Sequence, residues 1–239
     1  MGQLNRGRSR SGDASASQGR LLARPGQPLH AGPVGLQRLD LDGVRDGFIY
    51  VPAGYQPDHP APLAVMLHGA GGIAQHGLNL FMPYADGAGL VLLAPDARGS
   101  TWDAVRGRYG PDVAFIDAAL AHLFDRYAVD PSHVAIGGFS DGASYALSLG
   151  LTNGDFFTHV VALSPGFMAP TAQSGRPRIF ISHGTRDQTL PIDVCSRRIV
   201  PILQGTGYDV DYREFDGPHT VPPEVAREAL DWFLAPEPE

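Results

Sequence analysis

The chain contains no lysine; all 18 of its basic residues are arginine. That excludes Schiff-base chemistry at a lysine amine and the lysine of a Walker phosphate loop. Cysteine is nearly absent too. With Cys195 alone, no intramolecular disulfide can form and a cysteine-based zinc site has no basis. The histidines show no H-x-x-x-H spacing, no His–Cys pair and no neighbouring acidic cluster, so no metal is expected. No apolar run reaches the roughly 20 residues of a membrane-spanning helix, so no membrane partner is expected. Positive charge is scarce outside the N-terminus. The net charge is -7, and the first thirty residues carry five arginines against one aspartate, which leaves -11 on the remainder. So acidic a body suits no phosphate backbone, and no nucleic-acid partner is expected.

What is present is a chain of 239 residues, 43% hydrophobic, with 30 glycines and 21 prolines. That fits one α/β domain with many short turns. Residues 1–32 are rich in Arg, Ser, Gly and Gln and carry no hydrophobic period; they are expected to be a disordered tail, with a single domain over 33–236. The tail lacks the apolar segment of a secretory signal, and Arg6 stands where a myristoylation site wants Ser or Thr, so a cytoplasmic location is expected.

Beyond the tail, strand and helix patterns alternate. Phe48–Val51, Leu63–Leu67, Leu90–Ala94, Val134–Ile136, Val160–Leu163 and Ile179–Ile181 are short apolar runs of the kind buried on both faces of a parallel sheet. Val210–Phe215 reads as a last, alternating strand. Helices are predicted over Asp112–Tyr127, Tyr145–Leu151, Pro191–Gln204 and Pro222–Leu234, with Pro201 kinking or ending the third. Such alternation predicts a mostly parallel sheet with helices on both faces.

Gly138-Phe139-Ser140-Asp141-Gly142 follows one of these strands and opens a helix. This is G-x-S-x-G in the strand–turn–helix setting of a nucleophilic serine. The glycines leave room for neighbouring backbone, and the helix points its positive end at a developing oxyanion. Ser144 and Ser148 lie inside the helix and are expected to pack or face solvent. A serine hydroxyl needs a base, and the base needs a carboxylate to fix its tautomer. In this arrangement the acid and then the histidine follow the serine. Asp187 lies just past the strand Ile179–Ile181, at the edge where such sheets bind ligands. Its rivals are Asp193, Asp209, Asp211 and above all Asp216. His219, in the loop after the last strand, is the one histidine after Asp187 and is the expected base. His183 is expected to buttress a loop.

An oxyanion hole needs two backbone N–H donors. Asp141 supplies the amide after the nucleophile. Leu67-His68-Gly69-Ala70-Gly71-Gly72 supplies the second, with Ala70 preferred over Gly71 and His68 bracing the loop. Trp102, Phe139, Phe167, Met168 and Leu190 are candidate walls, each also compatible with simple packing. The stretch between Leu163 and Arg178 holds 14 residues, too few for a structured lid, so an open site is expected.

These motifs, in this order, resemble the phospholipase/carboxylesterase group of bacterial α/β hydrolases, which borders the polyhydroxybutyrate-depolymerase-like and feruloyl esterases. The resemblance runs from about Leu36 to Leu234. It implies a sheet without a lid domain, hydrolysis of carboxylic esters and no cofactor; the open site suits short-chain or aryl esters as small-molecule substrates. Dienelactone hydrolases, otherwise similar, carry a cysteine where this chain has Ser140. Two further readings share the sequence: a polyester or feruloyl depolymerase on the same triad, and a catalytically silent binding scaffold.

Overall fold

In the computed structural model, residues 14–41 and 44–236 are described. Eight strands form one sheet among them, in the order β1-β2-β4-β3-β5-β6-β7-β8. The strands are β1 (Gly35–Arg38), β2 (Gly47–Val51), β3 (Ala61–Leu67), β4 (Val91–Pro95), β5 (Val129–Phe139), β6 (His159–Leu163), β7 (Arg178–Gly184) and β8 (Val210–Phe215). β1 and β2 run antiparallel to their neighbours; β4, β3 and β5 to β8 are parallel.

Alternation along β3 divides the core in two. Leu63, Val65 and Leu67 face one cluster, built with α3 (Pro111–Phe124), α4 (Asp141–Thr152) and α5 (Ser196–Gly205). Ala64 and Met66 face the other, built with α1 (Ala74–Leu78), α2 (Met82–Ala88) and α6 (Pro223–Leu234). Every β3 side chain named here is fully buried, which is why the strand reads as a continuous apolar run. No helix among the described residues is long and apolar enough to cross a membrane.

Among the boundaries that differ from the sequence expectation, three bear on the packing. β5 starts at Val129, earlier than its apolar run. The helix expected from Pro191 starts at Ser196, and it continues through Pro201 to Gly205. Pro201 removes one amide from a mostly exposed face, a loss the amphipathic packing of Ile199, Val200 and Leu203 tolerates.

The larger correction concerns the expected tail. Residues 1–13 lie outside the described residues, but residues 14–32 pack along the body as a strap. Leu21 is fully buried in the core. Its N–H donates to Asn153 Oδ1 (2.9 Å), and Asn153 Nδ2 donates to Gly19 O (2.8 Å). The N–H groups of Leu22 and Ala23 both donate to Asp117 Oδ1 (2.6 and 2.8 Å). Arg20 forks onto both oxygens of Asp155 (2.9 Å each), and Arg24 joins at 3.0 Å. The Arg20 hydrogen bonds hold the Asp155 carboxyl well below the usual carboxylate range, against a smaller effect of burial. The strap is fixed by two isolated apolar side chains, Ala16 and Leu21, and by backbone capping, so it leaves no hydrophobic period to read.

Candidate active site

Ser140 sits between the end of β5 and the start of α4 with φ 58° and ψ -123°, a conformation that L residues avoid. Surrounding contacts hold it there. Its N–H donates to Leu163 O (3.0 Å). A Cβ on Gly138 would lie 2.7 Å from both Gly142 C and Leu67 O, and one on Gly142 would lie 2.5 Å from the carbonyl oxygens of Leu67 and His68. Both glycines are therefore obligatory, because backbone passes where a side chain would be.

Three distant stretches meet at this turn. Ser140 Oγ and His219 Nε2 are 2.9 Å apart, and His219 Nδ1 and Asp187 Oδ2 are 2.5 Å apart. Asp187 is buried, which by itself raises its pKa. Hydrogen bonds from Leu190, His219 and Thr189 outweigh that and hold the carboxyl below its ordinary range. The Thr189 and Leu190 amides donate to Oδ1 (2.9 and 2.8 Å), which leaves Oδ2 for His219. An ionised carboxylate only accepts, so the imidazole proton lies on Nδ1 and Nε2 accepts from the serine hydroxyl. Phe139 packs against the imidazole, ring centres 4.6 Å apart.

The rival acids are engaged elsewhere. Asp216 pairs with Arg186 (2.7 Å) in solvent, Asp193 with Arg197, Asp209 with Arg178 and Asp211 with Arg213. His183 is buried and uses both ring nitrogens: Nε2 donates to Leu190 O (2.8 Å), with Asp187 Oδ2 at 3.3 Å, and Ser196 Oγ donates to Nδ1 (2.6 Å). Burial lowers its pKa despite the nearby carboxylate, in keeping with a neutral ring that braces the acid loop.

On the other side of β5, Gly69 approaches Ser140 closely enough that a Cβ there would lie 3.3 Å from Ser140 Cβ. The Gly71 N–H is committed to Ser100 O (2.7 Å) and that of Gly72 to Gly69 O (3.0 Å). The Ala70 N–H has no acceptor among the described residues, and the Asp141 N–H opens α4 with no carbonyl one turn back to bind. Both are therefore free to receive an oxyanion. Among the described residues, no group of three His, Cys, Asp or Glu is placed to hold a metal ion.

A family profile described as phospholipase/carboxylesterase matches residues 113–233, just over half of the chain. The chain belongs to that family. Curated relatives include a putative esterase, NocK, of Nocardia uniformis subsp. tsuyamanensis, 32% identical over 146 residues, 55% of this chain and 42% of that protein. Feruloyl esterase C of Emericella nidulans is 29% identical over 158 residues, 62% of this chain and 57% of that protein. This chain thus spans about half the length of the curated relatives it matches. Among solved structures, esterase PE8 superposes with a TM-score of 0.64 at 22% identity, covering 83% of this chain and 98% of that one. The phospholipase/carboxylesterase from Dyadobacter fermentans gives 0.60 at 19%, covering 86% and 99%. These likenesses establish the α/β-hydrolase fold.

In this phospholipase/carboxylesterase-family chain, not every expected wall faces the site. Phe139, Phe167 and Leu190 are half-buried at the sheet edge that carries Ser140. Trp102 is not a wall; it is fully buried beneath the site. Its indole stacks on Tyr145 (5.1 Å between ring centres), and its N–H donates to His68 O (2.9 Å). His68 in turn donates from Nδ1 to Gly69 O (2.8 Å) and accepts at Nε2 from Ala97 N–H (3.1 Å). Below Trp102, Asp103 and Asp112 cap each other's backbone, Asp112 N–H to Asp103 Oδ2 (2.9 Å) and Asp103 N–H to Asp112 Oδ2 (2.6 Å). Burial raises both carboxyl pKa values, that of Asp112 to about 6. Sequence reading missed this support because its members come from the loop after β3, the loop before α3, the first turn of α3 and α4, with no shared period.

Ser144 and Ser148, expected to pack or face solvent, are fully buried and hydrogen-bonded. A hydroxyl every fourth position of a helix was the available signal.

Proposed function

We propose that the protein is a serine esterase that hydrolyses short-chain or aryl carboxylic esters through a Ser140–His219–Asp187 triad and an acyl-enzyme. The observation that carries this reading is the unbroken relay from Asp187 Oδ2 through His219 to Ser140 Oγ, at 2.5 and 2.9 Å. Ser140 Oγ attacks the ester carbonyl carbon while His219 Nε2 takes its proton. The ionised Asp187 stabilises the resulting imidazolium through Nδ1–H. The carbonyl oxygen gains its negative charge beside the Ala70 and Asp141 amides at the positive end of α4. When the intermediate collapses, the carbon–oxygen bond to the alcohol breaks and His219 returns the proton to that leaving oxygen. Water then repeats the sequence on the acyl-enzyme, releasing the acid and restoring Ser140.

Within this class the relatives named feruloyl esterase C make hydroxycinnamoyl esters the aryl substrates to try first. The test is hydrolysis of p-nitrophenyl acetate, p-nitrophenyl butyrate and methyl ferulate by wild type and Ser140→Ala. The serine variant is expected to lose on the order of 10⁴–10⁶ in kcat and all labelling by a fluorophosphonate. Equal rates in the two proteins would sink the reading. A wild type that folds, hydrolyses no ester and takes no label would favour a silent scaffold.

A further inference from the structure

Along α4, three hydroxyls stand four residues apart: Ser144, Ser148 and Thr152. All three are fully buried. Each donates to the carbonyl one turn back, Ser144 to Ser140 O (3.3 Å), Ser148 to Ser144 O (2.7 Å) and Thr152 to Ser148 O (2.8 Å). Each also accepts an amide from the stretch after β6. Ser144 Oγ accepts from Gly166 (2.9 Å) and Phe167 (3.4 Å), Ser148 Oγ from Ala169 (2.9 Å), and Thr152 Oγ1 from Thr171 (3.3 Å).

The register has a simple cause. Four helical residues advance about 6 Å, and two residues of extended chain advance about 6.6 Å. Residues 167, 169 and 171 therefore keep step with 144, 148 and 152. Serine within a helix is ordinarily neutral or unfavourable. Here the hydroxyls satisfy amides that a segment without regular structure would otherwise bury unpaired.

This ladder closes a mechanical circuit around the proposed triad. Its first rung joins the nucleophile's own carbonyl to Gly166. A Cβ on Gly166 would lie 3.1 and 3.3 Å from the two Leu190 methyls, so the segment already touches Leu190. The Leu190 amide holds Asp187, and its carbonyl is held by His183. The far side of the segment is fixed by Tyr109 OH to Ala169 O (2.9 Å) and by Thr171 Oγ1 to Gln18 O of the strap (2.5 Å). Phe167 and Leu190, both half-exposed, follow β6 and β7 at the sheet edge that carries Ser140, and are the apolar side chains available to wall that side of the site.

We infer that Ser144 is a specificity-determining positioning residue: through the α4 hydroxyl ladder it sets the size of the apolar or aryl group that the Phe167–Leu190 wall accepts. The inference rests on the esterase reading above and adds the part of the site that selects the ester. Ser144 itself touches no reacting atom.

The experiment compares wild type, Ser144→Ala and Gly166→Ala on two ester series. One runs from p-nitrophenyl acetate to octanoate, the other from methyl to phenyl acetate, so that the acyl and alcohol sides are separated. Gly166→Ala keeps every hydroxyl but presses on Leu190, and it tests the same wall if Ser144→Ala does not fold. The expected result is a KM ratio between the longest and shortest members of one series that shifts about tenfold from wild type, as a pocket mismatch of one methylene does. kcat should fall by a common factor across that series, and fluorophosphonate labelling of Ser140 should be retained. If both ratios stay within about twofold of wild type in whichever variant folds, with at most a lower Tm, the ladder is merely structural and the inference fails. Wild type lacking hydrolysis and labelling altogether would instead fail the esterase reading.

Discussion

His68 and His183 occupy matching places on the two flanks of β5. Each lies at the C-terminal end of a parallel strand, is buried, uses both ring nitrogens and precedes a glycine. On the β3 flank, His68 pins the loop that offers the Ala70 amide, and Gly69 lets Ser140 come close. On the β7 flank, His183 pins the loop that offers Asp187. There Gly184 lets the 217–218 turn come close, and that turn delivers His219. The same dipeptide does the same mechanical work twice, and neither histidine belongs to the Asp187–His219–Ser140 relay. The difference lies in clearance. A Cβ at residue 69 would meet Ser140 Cβ at 3.3 Å, whereas one at residue 184 would meet the carbonyl oxygens of Gly217 and Pro218 at 2.4 and 2.5 Å.

That difference orders the consequences of substitution. Gly184→Ala should do the most damage, because two backbone oxygens must retreat and His219 rides on the chain that retreats. A misplacement near 1 Å costs about 10² in rate, and kcat on p-nitrophenyl acetate should fall by about that factor while circular dichroism stays native. A rate near wild type would break the comparison.

Gly69→Ala requires a shift of only a few tenths of an ångström at an exposed loop. A loss of about tenfold or less is expected, equivalent to at most about 1.4 kcal/mol in the barrier. A larger loss than that of Gly184→Ala would reverse the ranking of the two flanks.

A third buried histidine sharpens the contrast with the least effect on turnover. His159 begins β6, at the end of the sheet away from Ser140, and its Nε2 has no hydrogen-bond partner among the described residues. Its ring packs edge-on against Trp232 and Phe233, and burial, followed by Arg178 and His133, pulls its pKa down to about 4. The folded state therefore prefers the neutral ring, while the unfolded chain takes up a proton near pH ~6.5. The stability that His159 contributes is complete above that value and is lost as pH falls toward about 4. His159→Phe should flatten the acid decline of unfolding free energy between pH ~7 and ~4 by on the order of 1–3 kcal/mol and leave the rate at neutral pH alone. Chemical denaturation at the two pH values checks it; parallel declines in both proteins would assign the acid loss elsewhere.

What the sequence made legible follows from which contacts are local. The G-x-S-x-G glycines could be read because Gly138 and Gly142 face backbone that any such turn must meet. The strands of the parallel sheet could be read because burial on both faces writes continuous apolar runs. That His219 and Asp187 meet Ser140 followed from chain order. Trp102 was misplaced because its neighbours, His68 and Tyr145, lie 34 and 43 positions away, and an indole beside an active-site loop looks the same whether it lines the site or plugs the floor beneath it. The strap was misread for the same reason. Its single buried leucine, its arginine fork and its capped amides answer to Asp117, Asn153 and Asp155, and contacts that distant impose no local periodicity.

The strap also fixes an order of events during synthesis. It leaves the ribosome before β1, yet the side chains that receive it are translated 94 to 153 positions later. Until α4 has been made and folded, Leu21 has no socket, and closing so long a loop is among the most entropically demanding steps of assembly. Its docking therefore belongs late in folding, when the first described part of the chain to be made becomes a fastening across the finished helices.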